Sequence, residues 1–311
     1  MKKVYDMIII GGGPAGYSAA LYASRAGLDV AVVEKMAPGG QMALTDTIDN
    51  YPGFENGVDG FELGMKMQQG AERFGAVTEY GEVLSVDFSE QIKKIVTVAG
   101  ELLAKTVVIA SGANPRELGV PSETELIGRG VHYCAHCDGR FYKDKTVAVV
   151  GGGNSAASDA LYLSRIAKKV YVVHRRDTLR ATKIYHAPLM NAENVEFVWN
   201  STVESFQFDG KLNGVIVKDV KGGEKRELSC DGVFVSIGRK PATEFLSGKV
   251  LLDENGYIVA DESTKTDVAG VYAVGDVRTK ALRQVVTAVS DGAVAVHYAE
   301  EYLAEAFDSV K

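Results

Sequence analysis

Two glycine-rich turns constrain the fold of this chain more than any other feature. The first covers residues 11–16 and reads Gly-Gly-Gly-Pro-Ala-Gly, and the second covers residues 151–156 and reads Gly-Gly-Gly-Asn-Ser-Ala. Each follows a run rich in β-branched residues and precedes an alanine-containing amphipathic stretch, which is typical of a strand–turn–helix unit. The sequence therefore predicts an α/β fold with two Rossmann-like dinucleotide-binding units.

The two units have matching predicted elements. In the first we expect a strand over 4–10 and a helix over 17–26, and in the second a strand over 146–150 and a helix over 158–166. The first glycine of such a turn permits the tight bend, and the second lets the backbone approach a pyrophosphate. The third small residue lets the helix pack close to the strand. Gly11, Gly13 and Gly16 are the corresponding residues of the first unit.

The residue that ends the next strand differs between the units. Counted from the first glycine of the turn, His174 occupies the place of Glu34, and two arginines follow it. A carboxylate accepts hydrogen bonds from a ribose 2′-hydroxyl and repels a 2′-phosphate, which arginines bind well. We therefore predict FAD or NAD in the first unit and NADPH in the second, with Arg175, Arg176 and Arg180 as phosphate ligands. Two alternatives remain open. The arginines could simply form a solvated surface, and each glycine motif could be a tight turn that binds no ligand.

Cys134 and Cys137 stand two residues apart, shortly before the second unit, and Asp138 follows them. A Cys-x-x-Cys motif beside a βαβ unit predicts a redox pair. Half of a zinc site, completed by His132 and His136, is the alternative. The chain has no second Cys-x-x-Cys motif, which disfavours zinc.

Composition excludes several other classes of protein. A chain of 311 residues is long enough for about two domains. The net charge of −7, without a sustained basic run, argues against a nucleic-acid partner. No stretch approaches the roughly 18 apolar residues of a membrane span. The three cysteines fit a reducing cytoplasm, and we interpret Cys230 as a buried, inert thiol.

These features, with several shorter motifs, resemble the low-molecular-weight, NADPH-dependent thioredoxin reductases nearly from end to end. The shorter motifs are Gly39-Gly40-Gln41, Tyr51-Pro52-Gly53, His174-Arg175-Arg176 with Arg180, Gly275-Asp276 and Arg283-Gln284. The resemblance implies a homodimeric, FAD-dependent enzyme that reduces thioredoxin or a thioredoxin-like protein. It also implies a three-layer ββα fold for each domain. An NADPH domain (116–242), carrying the cysteine pair, would be inserted into a discontinuous FAD domain (1–115 and 243–311).

The resemblance also implies roles for individual residues. Besides the turn glycines and Glu34, the implied FAD contacts are Pro14, Ala15, Lys35, Gly40, Gln41, Asn50, Gly112, Gly275, Asp276, Arg283 and Gln284. The implied NADPH contacts are Gly151, Gly153, Asn154, Ser155, Ala156, His174 and the three arginines. Cys134 and Cys137 would pass electrons from the flavin to the partner, with Cys137 nearer the flavin and Asp138 as the acid/base. No metal is expected.

Two related enzymes remain as alternatives. A flavoenzyme reduced by ferredoxin is disfavoured by the intact second turn and its arginines. A reductase of peroxiredoxins would usually carry an extra N-terminal dithiol domain, which is not expected because the first predicted strand starts at residue 4. Which cysteine attacks the partner, and what His136 does, stay open at this point.

Overall fold

The computed structural model describes residues 3–45 and 47–308. The chain forms two compact units. The outer unit runs up to Asn114 and resumes at Lys240, and the inserted unit is Pro115–Arg239. Each unit contains a parallel sheet with a strand–turn–helix–strand motif at its centre. The predicted α/β class with two Rossmann-like units is therefore confirmed.

In chain order, a first group of elements belongs to the outer unit, a second to the inserted unit, and a third again to the outer unit. The first group contains β1 (Val4–Ile10), α1 (Pro14–Arg25), β2 (Val30–Glu34), α2 (Gly60–Glu72), β3 (Val77–Tyr80), β4 (Val83–Asp87), β5 (Lys93–Thr97) and β6 (Gly100–Ile109). Two short strands, β7 (Ala113–Pro115) and β16 (Arg239–Pro241), cross the boundaries between the units. Between them come β8 (Val131–His132), α3 (Ala135–Asp138), β9 (Thr146–Val150), α4 (Asn154–Leu163), β10 (Lys169–Val173), α5 (His186–Met190), β11 (Val195–Val198), β12 (Ser201–Asp209), β13 (Lys211–Asp219), β14 (Lys225–Ser229) and β15 (Gly232–Val235). The last elements are β17 (Val271–Ala273) and α6 (Val285–Leu303), which continues as a π-helical turn over Ala304–Asp308.

Short 3₁₀ helices connect some of these elements. They are Gly40–Leu44, Thr124–Leu126, Gly139–Tyr142, Lys183–Tyr185, Glu244–Leu246 and Gly275–Val277. Within the described ranges, no helix combines the length and the apolar character that crossing a membrane requires.

The sheet of the outer unit has the order β3-β2-β1-β6-β5-β4, and β17 also pairs with β6. Strands β1, β2, β3, β6 and β17 pair in parallel, whereas β4 and β5 are antiparallel additions. Both faces of β1 are covered, which explains its almost continuous apolar sequence. Ile9 lies in the core beneath α1 and α6, and Ile8 and Ile10 lie in the core on the opposite face.

The inserted unit has a five-stranded parallel sheet in the order β11-β10-β9-β15-β8. Ala157 and Ala160 of α4 belong to the core on one face of this sheet. The antiparallel sheet β12-β13-β14 covers the other face, where Val203 and Val215 are buried. The glycine turn between β9 and α4 therefore lies between two well-packed layers.

Both Rossmann helices start earlier than predicted. Helix α1 begins at Pro14 rather than 17, and α4 begins at Asn154 rather than 158. The reason is that Gly13 (φ −79°, ψ −175°) and Gly153 (φ −91°, ψ −175°) are extended and act as the residues before the helices. Proline is favoured at the first helical position because its missing N–H would have no helical partner there. The helix N-termini consequently lie inside the glycine motifs.

Helices α1 and α6 approach each other closely at a glycine. A Cβ atom at Gly292 would lie 2.3 Å from the carbonyl oxygen of Ala15 and 2.7 Å from the backbone nitrogen of Ala19. The Ser18 hydroxyl donates a hydrogen bond of 2.7 Å to the carbonyl oxygen of Val289 across the same contact. Because α1 begins at the first glycine turn, this contact anchors the turn.

We expect Gly292→Ala to lower the free energy of unfolding by about 1–3 kcal/mol, because the added methyl group overlaps backbone atoms that cannot rotate away. Gly70→Ala, in α2, is the matched control, since no described atom lies within 4 Å of its Cβ position. That change should be neutral or raise the free energy of unfolding by up to about 1 kcal/mol. Urea unfolding measures both variants, and equal effects would contradict the close α1–α6 contact.

Candidate functional site

The first glycine of each turn lies against the carbonyl group that follows a neighbouring strand. A Cβ atom at Gly11 would lie 2.4 Å from the carbonyl oxygen of Ala110, and one at Gly151 would lie 2.4 Å from that of Ser236. Both glycines have positive φ angles, 109° and 148°, which residues with a side chain rarely adopt. The two turns thus share the same close backbone contact and a positive φ angle at their first glycine.

Gly13 and Gly153 face open space. No described atom lies within 4 Å of a Cβ position at either residue. Since each directly precedes a helix, a phosphate group could lie here against the free amides of a helix N-terminus. Gly16 has a different role, because its Cβ atom would lie 1.9 Å from the carbonyl oxygen of Gly11. It is therefore a packing residue, whereas Gly13 leaves room for a ligand.

Glu34 is buried at the end of β2 and is held by the backbone. Its Oε2 accepts a hydrogen bond of 2.7 Å from the amide of Gly12, and its Oε1 accepts one of 2.9 Å from the amide of Met36. Each carboxylate oxygen retains a second lone pair. The carboxylate is therefore fixed beside the turn and can still accept hydrogen bonds from ribose hydroxyl groups.

Two other predicted flavin residues touch the first turn. A Cβ atom at Gly40 would lie 3.4 Å from the Cα of Gly13, and one at Gly275 would lie 3.0 Å from the Cβ of Ala15. The amide of Gly39 also donates a hydrogen bond of 2.8 Å to the carbonyl oxygen of Gly12. The segments around Gly40 and Gly275 thus form walls of the space above the turn.

A buried ion-pair network holds the Gly275 turn. Arg278 donates to both carboxylate oxygens of Asp291, at 2.9 and 2.8 Å, and Lys280 donates to the same carboxylate at 2.9 Å. Burial alone would raise the pKa of Asp291, but these hydrogen bonds and one from the Gly275 amide bring that pKa below its ordinary value. The charged carboxylate therefore fixes Gly275, and with it the position of the half-buried Asp276.

Three other predicted flavin residues form hydrogen bonds between side chains. The Asn50 side-chain amide donates a hydrogen bond of 3.0 Å to Gln284, and that of Gln41 donates one of 3.0 Å to Asn114. Gly112 has a positive φ of 74° at the end of the strand region that leads to Asn114. These contacts connect side chains that are far apart in sequence.

Arg283 and Lys35 have defined partners as well. Arg283 donates a hydrogen bond of 3.3 Å to the carbonyl oxygen of Asp276 and lies over the ring of Tyr257. Lys35 forms an exposed ion pair of 2.7 Å with Glu82. Arg283 therefore supports the Gly275-Asp276 segment, whereas the ammonium group of Lys35 is directed towards Glu82.

A cleft of about 500 Å³ lies over the second turn. Residues 151–155 line it, together with Arg175 and Arg180, whereas Arg176 is exposed outside the lining. Ala156 is fully buried and packs beneath Gly151. Asn154 accepts a hydrogen bond of 2.8 Å from the amide of Thr182, which ties the start of α4 to the loop after the arginines. Two guanidinium groups beside a glycine turn suit an anionic ligand.

His174 lies beneath Gly152 and has an unsatisfied nitrogen. The side chain is 4% exposed, and its Nε2 has no hydrogen-bond partner among the described residues. A Cβ atom at Gly152 would lie 2.3 Å from the ring. Burial lowers the pKa of His174, and the charges of nearby arginines lower it further, so the ring is neutral at neutral pH. The orphaned nitrogen and the open space at Gly153 show that the cleft fits a nucleotide.

Cys134 and Cys137 are joined as a disulfide, with their Cα atoms 5.3 Å apart. Cys134 is extended, and its carbonyl oxygen accepts hydrogen bonds from the amides of Cys137 (3.2 Å) and Asp138 (3.1 Å). Gly139 follows and packs on α4, since a Cβ atom there would lie 2.9 Å from the Leu163 side chain. No cluster of three or more His, Cys, Asp or Glu side chains that could bind a metal occurs in residues 3–45 and 47–308.

One group of side chains beside the disulfide was not predicted. The Nδ1 of His132 lies 3.2 Å from a carboxylate oxygen of Asp138, and its Nε2 lies 2.7 Å from the hydroxyl of Tyr142. The sequence suggests His132 only as a ligand of the alternative zinc site, because its real partners depend on how β8 lies in the sheet.

A second unpredicted group involves His136. Its ring stacks on Tyr162 at 4.5 Å, and its Nδ1 lies 3.7 Å from Asp159. Asp159 also accepts a hydrogen bond of 2.5 Å from the hydroxyl of Ser236, which lines the cleft. Asp159 and Tyr162 stand three residues apart on α4, so a helical wheel could have shown that they share a face.

Cys230 is buried and apart from the disulfide. Burial raises the pKa of its thiol to about 12. The thiol therefore stays protonated at neutral pH, in agreement with the prediction of an inert cysteine.

Comparison with known proteins supports one family throughout. Residues 5–292 match the family described as pyridine nucleotide-disulphide oxidoreductase. The chain is 45% identical over 303 residues to the thioredoxin reductase of Treponema pallidum (strain Nichols), covering 97% of this chain and 98% of the relative. It is also 45% identical over 311 residues to that of Bacillus subtilis (strain 168), covering 100% and 98%.

A solved structure extends the similarity to three dimensions. The thioredoxin reductase from Streptococcus pyogenes MGAS5005 superimposes with a TM-score of 0.91 at 44% sequence identity, covering 98% of this chain and 100% of that one. Because the two relatives match nearly the whole chain, and the family match covers the residues of both glycine turns and of the cysteine pair, the chain belongs to the pyridine nucleotide-disulphide oxidoreductase family, among its bacterial-type thioredoxin reductases.

Proposed function

We propose that this chain is an FAD-containing, NADPH-dependent thioredoxin-disulfide reductase. As a member of its family, it is an oxidoreductase that uses a flavin and a nicotinamide cofactor. The observation that carries the finer proposal is the Cys134–Cys137 disulfide, which lies on the same unit as a cleft lined by Arg175 and Arg180. The arginines favour a 2′-phosphate, and hence NADPH over NADH.

The two cofactor sites are proposed to follow the two turns. The proposed FAD residues are Gly11, Gly13, Pro14, Ala15, Gly16, Glu34, Lys35, Gly40, Gln41, Asn50, Gly112, Gly275, Asp276, Arg283 and Gln284. The proposed NADPH residues are Gly151, Gly153, Asn154, Ser155, Ala156, His174, Arg175, Arg176 and Arg180. Open space at Gly13 and Gly153 supports this assignment, as does the fixed Glu34 carboxylate in the outer unit.

The chemistry of the disulfide then follows from the chain's own residues. When bound, the nicotinamide and the flavin supply the electron pair that opens the Cys134–Cys137 bond. Once the pair is reduced, one cysteine attacks the disulfide of the partner as a thiolate, and the other resolves the mixed disulfide. Asp138, directly after Cys137, is the proposed group that gives a proton to the leaving sulfur and takes one from the attacking thiol.

The proposed partner is thioredoxin or a thioredoxin-like protein, and the proposed working form is a cytoplasmic homodimer. Insulin reduction with NADPH and each thioredoxin of the host, assayed separately, identifies the partner. Light scattering of the purified protein should give a mass near twice that of one chain. A monomeric mass would contradict the dimer without affecting the reaction.

We expect NADPH to bleach the flavin absorbance of the wild-type protein in an anaerobic titration, and NADH to do so far less. Arg175→Ala with Arg176→Ala should raise the KM for NADPH by about 10- to 100-fold, because charge-assisted hydrogen bonds to the 2′-phosphate are lost. The KM for NADH should change by less than about threefold, since NADH lacks that phosphate. Stopped-flow reduction of the flavin measures both constants.

Arg165→Ala is the control for this variant. Arg165 is exposed in the same unit, just after α4, and does not line the cleft. Its loss should leave both constants unchanged. If the double variant weakened NADPH and NADH equally, the arginines would not be reading a 2′-phosphate.

We expect Cys137→Ser to abolish thioredoxin reduction while NADPH still bleaches the flavin, because the disulfide lies between the flavin and the partner in the proposed sequence of steps. Cys230→Ala is the matched control, since it removes the buried third cysteine. Both reactions of that variant should stay within about twofold of wild type, because the Cys230 thiol is protonated and unreactive. Residual thioredoxin reduction by Cys137→Ser would show that the disulfide is not an obligatory carrier.

A further inference from the structure

Asp138, His132 and Tyr142 form a row of close polar contacts on the segment that carries the redox disulfide. Nδ1 of His132 lies 3.2 Å from Oδ2 of Asp138, and Nε2 lies 2.7 Å from the hydroxyl oxygen of Tyr142. The side chain of His132 is only 8% exposed, and that of Asp138 is 17% exposed. A polar ring buried to this degree needs partners for both nitrogens, and in this row each nitrogen has one.

Packing holds the imidazole ring in place. His132 ends β8, where it pairs with Phe234 of β15, and the two rings stack at 5.3 Å. Tyr142 meets the His132 ring edge-on at 5.2 Å. The ring is thus held by a strand, a stacked phenyl group, one hydrogen bond to Tyr142 and a close contact with Asp138.

The row is satisfied in two proton arrangements. With Asp138 ionised, the Nδ1–H group donates to the carboxylate, and Nε2 accepts a hydrogen bond from Tyr142. With Asp138 protonated, its O–H group donates to Nδ1, and an Nε2–H group donates to the tyrosine oxygen. The carboxyl group can therefore gain or lose a proton without leaving a buried polar atom unpaired.

We propose that His132 is a positioning residue that shares a proton with Asp138, so that the pair exchanges protons with the Cys134–Cys137 thiols. This rests on the proposed function, in which Asp138 serves as the acid/base. As a sulfur leaves the mixed disulfide, the pair gives it one proton, and it regains one from the attacking thiol. A lone carboxyl group titrates near pH 4 and holds few protons at neutral pH, whereas imidazole titrates near pH 6.5.

The other ionisable groups nearby do not compete for this role. Burial, and next the charge of Asp138, raises the pKa of Tyr142, so that its hydroxyl stays neutral at working pH. Asp231, Cys230 and Lys145 approach Tyr142 rather than the imidazole ring. Burial keeps Cys230 protonated. Phe234, on the stacked face of His132, cannot titrate.

The first test measures the pair directly, without relying on catalysis. ¹⁵N NMR of the oxidised holoenzyme follows the two ring nitrogens of His132, which the His132→Asn variant identifies. We expect Asp138→Asn to change the Nδ1 signal more than the Nε2 signal, because the carboxylate lies 3.2 Å from Nδ1, whereas Tyr142 keeps its contact with Nε2. An unchanged Nδ1 signal would overturn the proposal.

An exposed pair on α6 provides the matched control. His297 lies 3.5 Å from Glu301, and both side chains are more than half exposed. Glu301→Gln should change the ¹⁵N signals of His297 less than Asp138→Asn changes those of His132, because solvent screens the exposed pair. An equal change in the two cases would show that burial of the His132 pair has no special effect.

The second test is the pH profile of thioredoxin reduction. We expect His132→Asn to move the alkaline limb of the rate profile to lower pH, because the variant keeps the carboxyl group and loses the imidazole ring. Tyr142→Phe should move it in the same direction by less, since the ring keeps its contact with Asp138. His297→Asn should leave the profile unchanged.

The outcomes separate this inference from the proposed function. A rate lowered by the same factor at every pH in His132→Asn would show a merely structural role and would overturn the inference. A wild-type protein that reduced no thioredoxin would contradict the proposed function, and the NMR comparison of Asp138→Asn with wild type would still decide whether the Asp138 carboxylate acts on Nδ1 of His132. The double variant His132→Asn with Asp138→Asn should lose little more activity than Asp138→Asn alone, because the two residues act as one unit.

Discussion

Both nucleotide turns depend on a contact between two backbones that only glycine permits. In the outer unit the carbonyl group after β6 lies against Gly11, and in the inserted unit the carbonyl group after β15 lies against Gly151. In each case the strand that supplies the carbonyl pairs in parallel with the strand that leads into the turn. The register of that pairing therefore sets the turn, and the turn sets where the following helix begins. The space for a phosphate is a consequence of strand pairing.

The same frame carries different chemistry in the two units. The middle glycine of each turn lies over a residue at the end of the next strand. Glu34, the last residue of β2, lies beneath Gly12, and His174, directly after β10, lies beneath Gly152. Glu34 is held by two amides and carries a negative charge beside the turn. His174 is a neutral ring with an unsatisfied nitrogen, and the positive charge comes from Arg175 and Arg180. The two units share one backbone arrangement, and the residues at and after this strand end decide whether the surroundings of the turn suit a ribose hydroxyl or a phosphate group.

Those parts of the fold and the site that depend on neighbouring residues in the chain could be predicted from the sequence. Turn glycines, the ends of the strands and the spacing of the cysteines are all encoded within a few residues, and these features identified the fold and the redox pair. The contact between His132 and Asp138 could not be read in this way. It arises because β8 turns into α3 and pairs with β15, so one aromatic neighbour of the imidazole, Phe234, comes from a distant part of the chain. For the same reason the partner of Lys35 was unexpected, since Glu82 reaches it from outside the Rossmann motif.

Helix α4 connects the redox disulfide with the nucleotide cleft inside the inserted unit. Its first residue, Asn154, lines the cleft, and its last, Leu163, packs against the glycine that follows Asp138. Between these two ends of the helix, Asp159 lies 3.7 Å from the ring of His136, which stands between the two cysteines. Asp159 also accepts a hydrogen bond from Ser236 on the cleft wall. A close-packed helix transmits strain because its side chains have little free volume in which to relax. Helix α4 therefore contacts both the disulfide loop and the cleft, so a displacement of the loop would disturb the packing of this helix.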